Sequence, residues 1–141
     1  MEKTLAMIKP DAIEMNATGE IIKMIEEKNF KIKAMKMTRL TKKTAGEFYS
    51  IHKDKPFFES LVKFMISGPV IAMILEGEDV IKKYRELMGA TDFKKAEQGT
   101  IRKKFGTAIE KNAVHGSDSE ENAKKEIAFY FSVQEQLSIN G

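Results

Sequence analysis

The apolar run Val70-Ile71-Ala72-Met73-Ile74-Leu75 sets the architecture of this chain. Its residues do not alternate between apolar and polar types, which is typical of a strand that is buried on both of its faces. A sheet built around such a strand needs a covering layer on each side. We expect helices of the same chain to cover one face of the sheet and another element, such as a second subunit, to cover the other.

Shorter patterns on either side of this run predict the remaining strands. Thr4–Lys9 predicts a first strand that ends before Pro10, because proline cannot continue a sheet ladder. Phe30–Met37 alternates, with Phe30, Ile32 and Ala34 on one face and Met35 and Met37 on the other. This slip of phase indicates a β-bulge near Ala34. We predict a short last strand within Ala108–His115.

Helical spacing and capping residues predict the rest of the fold. Thr18 is the predicted N-cap of a helix that ends at a left-handed Asn29, and Pro56 suits a first helical position. Val80–Met88 has the periodicity of a helix, and Ser117-Asp118-Ser119-Glu120 resembles a capping box. With the strands, this order predicts an α+β fold, a ferredoxin-like antiparallel-sheet sandwich with additional helices.

The composition restricts the class of protein but does not identify its function. The 141 residues favour one domain spanning residues 1–141. The absence of cysteine excludes a disulfide framework and a zinc-thiolate site. A net charge of +3 and a pI near 9.0 suit either nucleic acid or a phosphate-bearing small molecule. No stretch resembles a signal peptide or reaches the roughly 20 apolar residues of a membrane span, so we expect no membrane contact and a cytoplasmic location.

His115 stands where a predicted strand meets a predicted helix, directly before Gly116. A helix N-terminus favours phosphate through its free N–H groups and partial positive charge, and glycine allows the backbone to approach a ligand closely. A neutral imidazole is a competent nucleophile at this position. From the residues alone, a histidine that packs or caps at the turn remains the open alternative. We expect His52, the other histidine, to be solvated.

The stretch Asn112-Ala113-Val114-His115-Gly116-Ser117-Asp118-Ser119 resembles the N-x-x-H-G-S-D-S motif of nucleoside diphosphate kinases. The motif is long, so a chance match is improbable. Four further blocks resemble the same family and follow its order along the chain: Thr4–Asp11, Lys53–Phe58, Ser67–Val70 and Gly99–Arg102.

This resemblance implies an activity and assigns roles to individual residues. It implies a reversible ping-pong transfer of the γ-phosphoryl group from a nucleoside triphosphate to a nucleoside diphosphate, with Mg²⁺ bound to the nucleotide phosphates and no metal ligand predicted in the protein. His115 would accept the phosphoryl group and Glu126 would orient its ring. The implied nucleotide contacts are Tyr49, Arg85, Thr91 and Arg102 at the phosphates, Lys9 at both a phosphate and a ribose hydroxyl, Phe57 at the base and Asn112 at the ribose.

Without the resemblance, Glu126 would be taken for a surface residue of a helix, and Phe57 or its neighbour Phe58 for a core residue. The chain also departs from the family pattern. Met15-Asn16 replaces a usual Arg-Gly, residues 92–98 lack two usual prolines, and Phe48 precedes Tyr49 where histidine is usual. The missing prolines lie in a loop that contacts other subunits in many relatives, and the tail after Phe131 is short and polar. The predicted homo-oligomer is therefore either a tetramer or a hexamer.

Two other functions are compatible with the predicted fold. An RNA-binding module of ferredoxin type would share the sheet and the basic pI, but it would carry aromatic residues on a central strand. The run Val70–Leu75 has none, so nucleic acid is not expected as a partner. A regulatory nucleotide-binding domain that has lost catalysis is the second alternative, and it is disfavoured because every polar residue implied by the resemblance is present.

Overall fold

The computed structural model describes residues 1–138, so the last three residues of the predicted domain lie outside the described part. Its sheet contains β1 (Glu2–Ile8), β2 (Lys31–Thr38), β3 (Val70–Gly77) and β4 (Val114–Gly116). The strands lie in the order β2-β3-β1-β4, and each neighbouring pair is antiparallel. The predicted α+β, ferredoxin-like sheet is therefore confirmed.

Helices precede, separate and follow these strands. They are α1 (Pro10–Glu14), α2 (Thr18–Glu27), α3 (Lys42–Phe48), α4 (Phe58–Met65), α5 (Val80–Met88), α6 (Ile101–Phe105), α7 (Glu120–Tyr130) and α8 (Val133–Ser138). Short 3₁₀ turns cover Ser50–His52 and Phe93–Lys95. The sequence patterns did not predict α1, because a five-residue helix is too short to show a helical period.

Helices of this chain cover both faces of the sheet. On β3, Ile71, Met73 and Leu75 pack against α2 and α5. The alternate residues of the same strand, among them Ala72 and Ile74, pack against α3, α4 and α7. The second face is therefore covered by additional helices of the same chain, and not by a second subunit, which was the example given for that layer. Each fully buried large apolar side chain contributes about 1.5–3 kcal/mol to this double core.

The bulge in β2 is confirmed, but the predicted faces were partly wrong. The register slips between Ile32 and Ala34, one step earlier than the prediction required. Ala34 therefore packs on the α3, α4 and α7 side of the sheet, while Ile32 packs on the other side. Met35 and Met37 pair with β3 residues on the face of Ile32 and are 53% and 61% exposed.

Several predicted boundaries shift by one to several residues. Helix α2 begins at Thr18 itself, with Ala17 as its N-cap, and Asn29 is left-handed after its end, as predicted. Helix α4 begins two residues after Pro56. The last strand covers only Val114–Gly116, because the residues before it form an irregular loop.

The predicted capping box at Ser117 and Glu120 was also wrong. Helix α7 begins at Glu120, and its N-cap is Ser119, whose Oγ accepts the N–H of Asn122 at 3.1 Å. Ser117 directly follows β4 and is still bonded to β1, since its N–H donates to the carbonyl of Leu5 at 3.2 Å. The hydroxyl of Ser117 is therefore available for a different contact.

Candidate active site

A cleft of about 560 Å³ lies between the α3–α4 hairpin and the loop that leads into β4. The predicted site residues that line it are Lys9, Tyr49, Phe57, Thr91, Arg102, Asn112, His115 and Glu126. Arg85 does not line it: its exposed side chain lies on α5, with Nη1 3.5 Å from the carbonyl of Gly116. A larger depression of about 950 Å³ beside α5 is lined by charged residues of both signs and has neither an aromatic ring nor a histidine.

His115 is held by Glu126 from the neighbouring helix. It is the middle residue of β4, opposite Met7 of β1, and its Nε2 lies 2.8 Å from Glu126 Oε1 on α7. An ionised carboxylate only accepts hydrogen bonds, so in the neutral imidazole Nε2 carries the proton and Nδ1 keeps its lone pair. Within residues 1–138, Nδ1 makes no hydrogen bond. The ring therefore presents an unprotonated nitrogen to a ligand.

Ser117 completes this contact, although the sequence analysis gave it no role in the site. Its Oγ donates to Glu126 Oε1 at 2.8 Å and accepts the N–H of Leu5 at 3.3 Å. The Glu126 carboxylate is thereby tied to the backbone of β1 as well as to His115. Ser117 directly follows His115 and Gly116 in the sequence, but the predicted capping box assigned it to the start of the next helix.

An aromatic wall stands beside the histidine. The rings of Phe48 and Tyr49 meet the His115 ring edge-on, at centroid distances of 5.5 and 6.4 Å. Phe48 also packs against Phe129 and Tyr130 of α7. The Tyr49 hydroxyl is buried and has no hydrogen-bond partner in residues 1–138. Burial raises its pKa and the Glu126 charge raises it further, so Tyr49 keeps its proton and is a donor.

Lys9 follows β1 and is 6% exposed. Its Nζ donates to the carbonyl of Glu110 and to Asn112 Oδ1, both at 2.9 Å, which leaves one N–H for a ligand. Burial lowers the pKa of Lys9 to about 8; Asp11 opposes this shift, Arg102 adds to it, and Glu110 opposes it. Lys9 is therefore mostly cationic at neutral pH but titrates just above it.

Arg102 comes from α6 and is also buried. It donates from Nε to the carbonyl of Asn112 at 3.3 Å, from Nη1 to that of Gly89 at 3.1 Å, and from Nη2 to that of Val114 at 2.9 Å. Burial lowers the pKa of its guanidinium, which remains charged at neutral pH. Two of its five N–H groups are left, so Arg102 both fixes the loop around β4 and has donors to offer a phosphate.

The outer end of the cleft is apolar and open. Phe57 is 44% exposed, whereas Phe58 packs against the core. Phe57 is therefore not the core residue of this pair. His52 is half-buried with its ring 5.4 Å from that of Phe57, so the expectation that it is solvated was wrong. Thr91 is exposed at the rim, and its carbonyl accepts from Asn112 Nδ2 at 3.4 Å.

In residues 1–138, no group of three or more histidine, aspartate or glutamate side chains could hold a metal ion. Asp118, the carboxylate nearest to His115 in sequence, accepts from Asn122 Nδ2 at 2.6 Å, and this bond lowers its pKa. Among these residues there is likewise no helix whose length and apolarity would allow it to cross a membrane.

Comparison with known proteins identifies the family. The family model described as nucleoside diphosphate kinase matches residues 2–136. A nucleoside diphosphate kinase of Desulforapulum autotrophicum is 53% identical over 135 residues, covering 96% of this chain and 98% of the relative.

Solved structures agree with this assignment. The nucleoside diphosphate kinase of Aquifex aeolicus superposes with a TM-score of 0.92 at 51% identity, covering 95% of this chain and 97% of that one. The halophilic enzyme from Halobacterium salinarum, solved with CDP, superposes at 0.91 with 43% identity, covering 95% and 90%. The chain belongs to the nucleoside diphosphate kinase family, and it is an enzyme that transfers phosphoryl groups between nucleotides.

Proposed function

We propose that the chain moves the γ-phosphoryl group of a nucleoside triphosphate to a nucleoside diphosphate through a phosphohistidine on His115, in a reversible ping-pong reaction. One observation carries this proposal: Glu126 binds Nε2 of the ring and leaves Nδ1 unprotonated inside a cleft with Lys9 and Arg102. A nucleophile, a residue that orients it and two cations are the parts that phosphoryl transfer requires.

The reaction needs no general base. The Nδ1 lone pair attacks the γ-phosphorus, the bond from that phosphorus to the bridging oxygen breaks, and the nucleoside diphosphate leaves with the electron pair. The ring then carries a positive charge, which the Glu126 carboxylate stabilises across the 2.8 Å contact. The terminal phosphate oxygen of a second diphosphate attacks the same phosphorus, and the P–N bond breaks to regenerate His115.

The phosphates would lie against the donors at the inner end of the cleft. The third N–H of Lys9 and the two free N–H groups of Arg102 supply positive charge, and the Tyr49 hydroxyl supplies a neutral donor. Charge that develops on the transferred oxygens is stabilised best by such fixed donors. We assign Arg85 and Thr91 the same task. Both side chains are exposed, Thr91 at the rim of the cleft and Arg85 on α5 beside the carbonyl of Gly116.

The nucleoside would occupy the outer end of the cleft. Its base would stack on the exposed ring of Phe57, which contributes about 1–3 kcal/mol without reading base identity. Asn112 would bind the ribose hydroxyls, and its side chain is already fixed by Lys9 and the Thr91 carbonyl. The partners proposed for this site are nucleoside di- and triphosphates of any base.

The proposal includes Mg²⁺ that enters the site bound to the nucleotide phosphates. It would neutralise charge on the phosphates to which it is bound. The chemistry of the donor set fits this arrangement. Lys9, Arg102 and the Tyr49 hydroxyl supply donors, while the carboxylates that line the cleft are already engaged: Glu126 by His115 and Ser117, and Glu110 by Ser60. Lys9 and Arg102 would then hold the oxygens that the metal leaves open.

The proposed enzyme is a homo-oligomer, either a tetramer or a hexamer. Strand β2 supports self-association, because it lies at the edge of the sheet and exposes Met35 and Met37. An open edge with apolar side chains is a ready template for pairing with a second chain. The cytoplasmic location and the single domain over residues 1–141 stay predictions.

The test is the intact mass of the pure protein after incubation with ATP and Mg²⁺, followed by a chase with GDP. We expect the gain of one phosphoryl group and its loss on the chase. His115→Ala should form no adduct but still bind ADP. His52→Gln, which removes the only other histidine, should still form it. An adduct on His115→Ala would reject the assignment.

The alternatives predict different outcomes of that experiment. An RNA-binding module needs an open sheet face on which bases can stack, and helices cover both faces here. Such a module would show no adduct and an affinity for RNA that falls steeply with salt. A regulatory domain would bind nucleotide and remain unmodified.

A further inference from the structure

We propose that Asp11 is a positioning residue of the phosphoryl-transfer site: it holds the turn that grips Lys9, and it supplies the negative charge that keeps Lys9 cationic. The inference rests on the proposed role of Lys9 at the nucleotide phosphates. Asp11 itself does not line the cleft. It acts through Lys9 and through the Asn112–Ala113 backbone.

Asp11 is a buried carboxylate, and its burial has to be compensated by partners. It lies in the first turn of α1, is 9% exposed, and accepts the N–H of Ala113 through Oδ2 at 3.1 Å. Its other oxygen accepts no hydrogen bond from residues 1–138. A carboxylate loses much of its hydration on burial and is costly unless a partner compensates for it. The compensation here comes from the N–H of Ala113, from the charge of Lys9, and from the nearby backbone N–H groups of Asp11 and Ala12 in the first turn of α1.

The backbone donor belongs to a strained residue. Ala113 has φ of 73°, in the left-handed region that is unfavourable for a residue with a Cβ. Three hydrogen bonds hold it there. Asp11 accepts its N–H, its carbonyl accepts the backbone N–H of Lys9 at 2.9 Å, and the N–H of Val114 donates across the turn to the carbonyl of Asn112 at 2.9 Å. The same turn presents Asn112 Oδ1 and the Glu110 carbonyl to Lys9 Nζ. Asp11 therefore fixes the loop that carries the two oxygen acceptors of the Lys9 ammonium.

The second contribution is electrostatic. Burial and Arg102 lower the pKa of Lys9, while Asp11 and Glu110 raise it, and the balance is about 8. A neutral residue at position 11 would remove one of the two opposing carboxylates. The pKa of Lys9 would then fall towards neutrality, and the enzyme would lose its phosphate-binding cation at a lower pH. The pKa of Asp11 is itself raised by burial, while the Ala113 N–H and Lys9 favour its charged form.

Asp11→Asn separates the two contributions. Asparagine keeps an acceptor oxygen for Ala113 N–H but removes the charge. If the Lys9 pKa falls by about one unit, the low end of the shift caused by a close opposite charge, the cationic fraction falls about fivefold at pH 8 and changes little at pH 6. We therefore expect the ratio of kcat/KM at pH 6 to that at pH 8 to rise about fivefold over the parent enzyme. The titration of the nucleotide itself cancels in this comparison.

Asp79→Asn is the matched control, because Asp79 is an exposed carboxylate with φ of 54°, which asparagine also tolerates. It should keep the parent ratio. Asp11→Ala removes the acceptor as well and should lose activity even at pH 6. Ala113→Gly in that background should restore part of the loss, since glycine adopts a left-handed φ without support.

An unchanged pH ratio in Asp11→Asn, or parent activity of Asp11→Ala at pH 6, overturns the proposal. If Asp11→Asn does not fold, the double variant with Ala113→Gly relieves the strained turn and carries the same pH test. Phosphorylation of the parent is measured alongside. If the parent enzyme forms no phosphoryl adduct, the phosphohistidine mechanism is rejected. If the parent enzyme forms the adduct but Asp11→Asn keeps the parent pH ratio, only the role of Asp11 is rejected.

Discussion

Replacing Ser117 by alanine should weaken both the fold and the catalytic histidine. The hydroxyl accepts the N–H of Leu5 at 3.3 Å and donates to Glu126 Oε1 at 2.8 Å. The Ser117 N–H also binds the Leu5 carbonyl, so this one residue satisfies both polar groups of Leu5 on the β4 side of β1. Alanine keeps the backbone bond and removes the two side-chain bonds.

The size of the effect follows from burial. Leu5 is fully buried, so its unpaired N–H costs about 1–3 kcal/mol. Glu126 is 21% exposed, so water replaces part of the hydrogen bond that the Ser117 hydroxyl donated to it. The loss of this second bond therefore lies at the low end of the roughly 1.5–3 kcal/mol that is typical of a hydrogen bond to a charged group. We expect Ser117→Ala to lower the free energy of unfolding by about 2–4 kcal/mol, a large share of the 5–15 kcal/mol of a typical domain.

Urea unfolding measures the stability, and single-turnover phosphorylation by ATP measures the chemistry. Glu126 would keep its bond to His115 but lose its anchor to β1, for which we expect a phosphorylation rate about tenfold lower, or about 1.4 kcal/mol. Ser119→Ala is the matched control: it removes the α7 cap, costs about 1 kcal/mol, and should leave phosphorylation unchanged.

A loss of stability in Ser117→Ala no larger than in Ser119→Ala would refute the hydrogen-bond accounting at Leu5. A clear loss of stability with an unchanged phosphorylation rate would confine Ser117 to a structural role.

Other substitutions and conditions test the remaining parts of the site. Phe57→Ala should raise Kd for ADP by about tenfold or more while sparing kcat, measured by calorimetry and steady-state rates; an unchanged Kd would remove the stacking role. Gly116→Ala should fail to fold or melt far below the parent in calorimetry, because a Cβ there would lie 2.8 Å from the Tyr84 ring and 2.9 Å from Met88 Cε. Nucleotide affinity should be full below about pH 7 and fall through pH 8 and above as Lys9 loses its proton, and a flat profile to pH 9.5 would contradict this titration.

The sequence predicted the sheet because its signals are strong and local. Val70–Leu75 has the continuous apolar pattern that is typical of a doubly buried strand, and the slip near Ala34 marks a real bulge. The covering layers were less predictable, since a doubly buried strand does not show which elements bury it. Here the answer was α3, α4 and α7 of the same chain.

The site was predictable as a set of residues but not as a set of contacts. Spacing along a helix gave no reason to bring Glu126 to His115, and only the resemblance paired them. Ser117 was missed for a specific physical reason. The residues Ser117–Glu120 match the capping-box pattern, which is a local signal. In the structure the N–H of Ser117 donates to the carbonyl of Leu5 on β1, so Ser117 cannot cap the next helix, and Ser119 caps it instead.

The contacts that build this site join residues about a hundred positions apart. Lys9 meets Asn112, Asp11 meets Ala113, and Leu5 meets Ser117, all because β1 and β4 are neighbours in the order β2-β3-β1-β4. The ferredoxin-like topology therefore predicts that the end of β1 and the approach to β4 share a neighbourhood. It does not predict the left-handed Ala113, and that turn decides which oxygens reach the Lys9 ammonium. Fold class brings the catalytic segments together, and one strained backbone residue turns that proximity into a binding geometry.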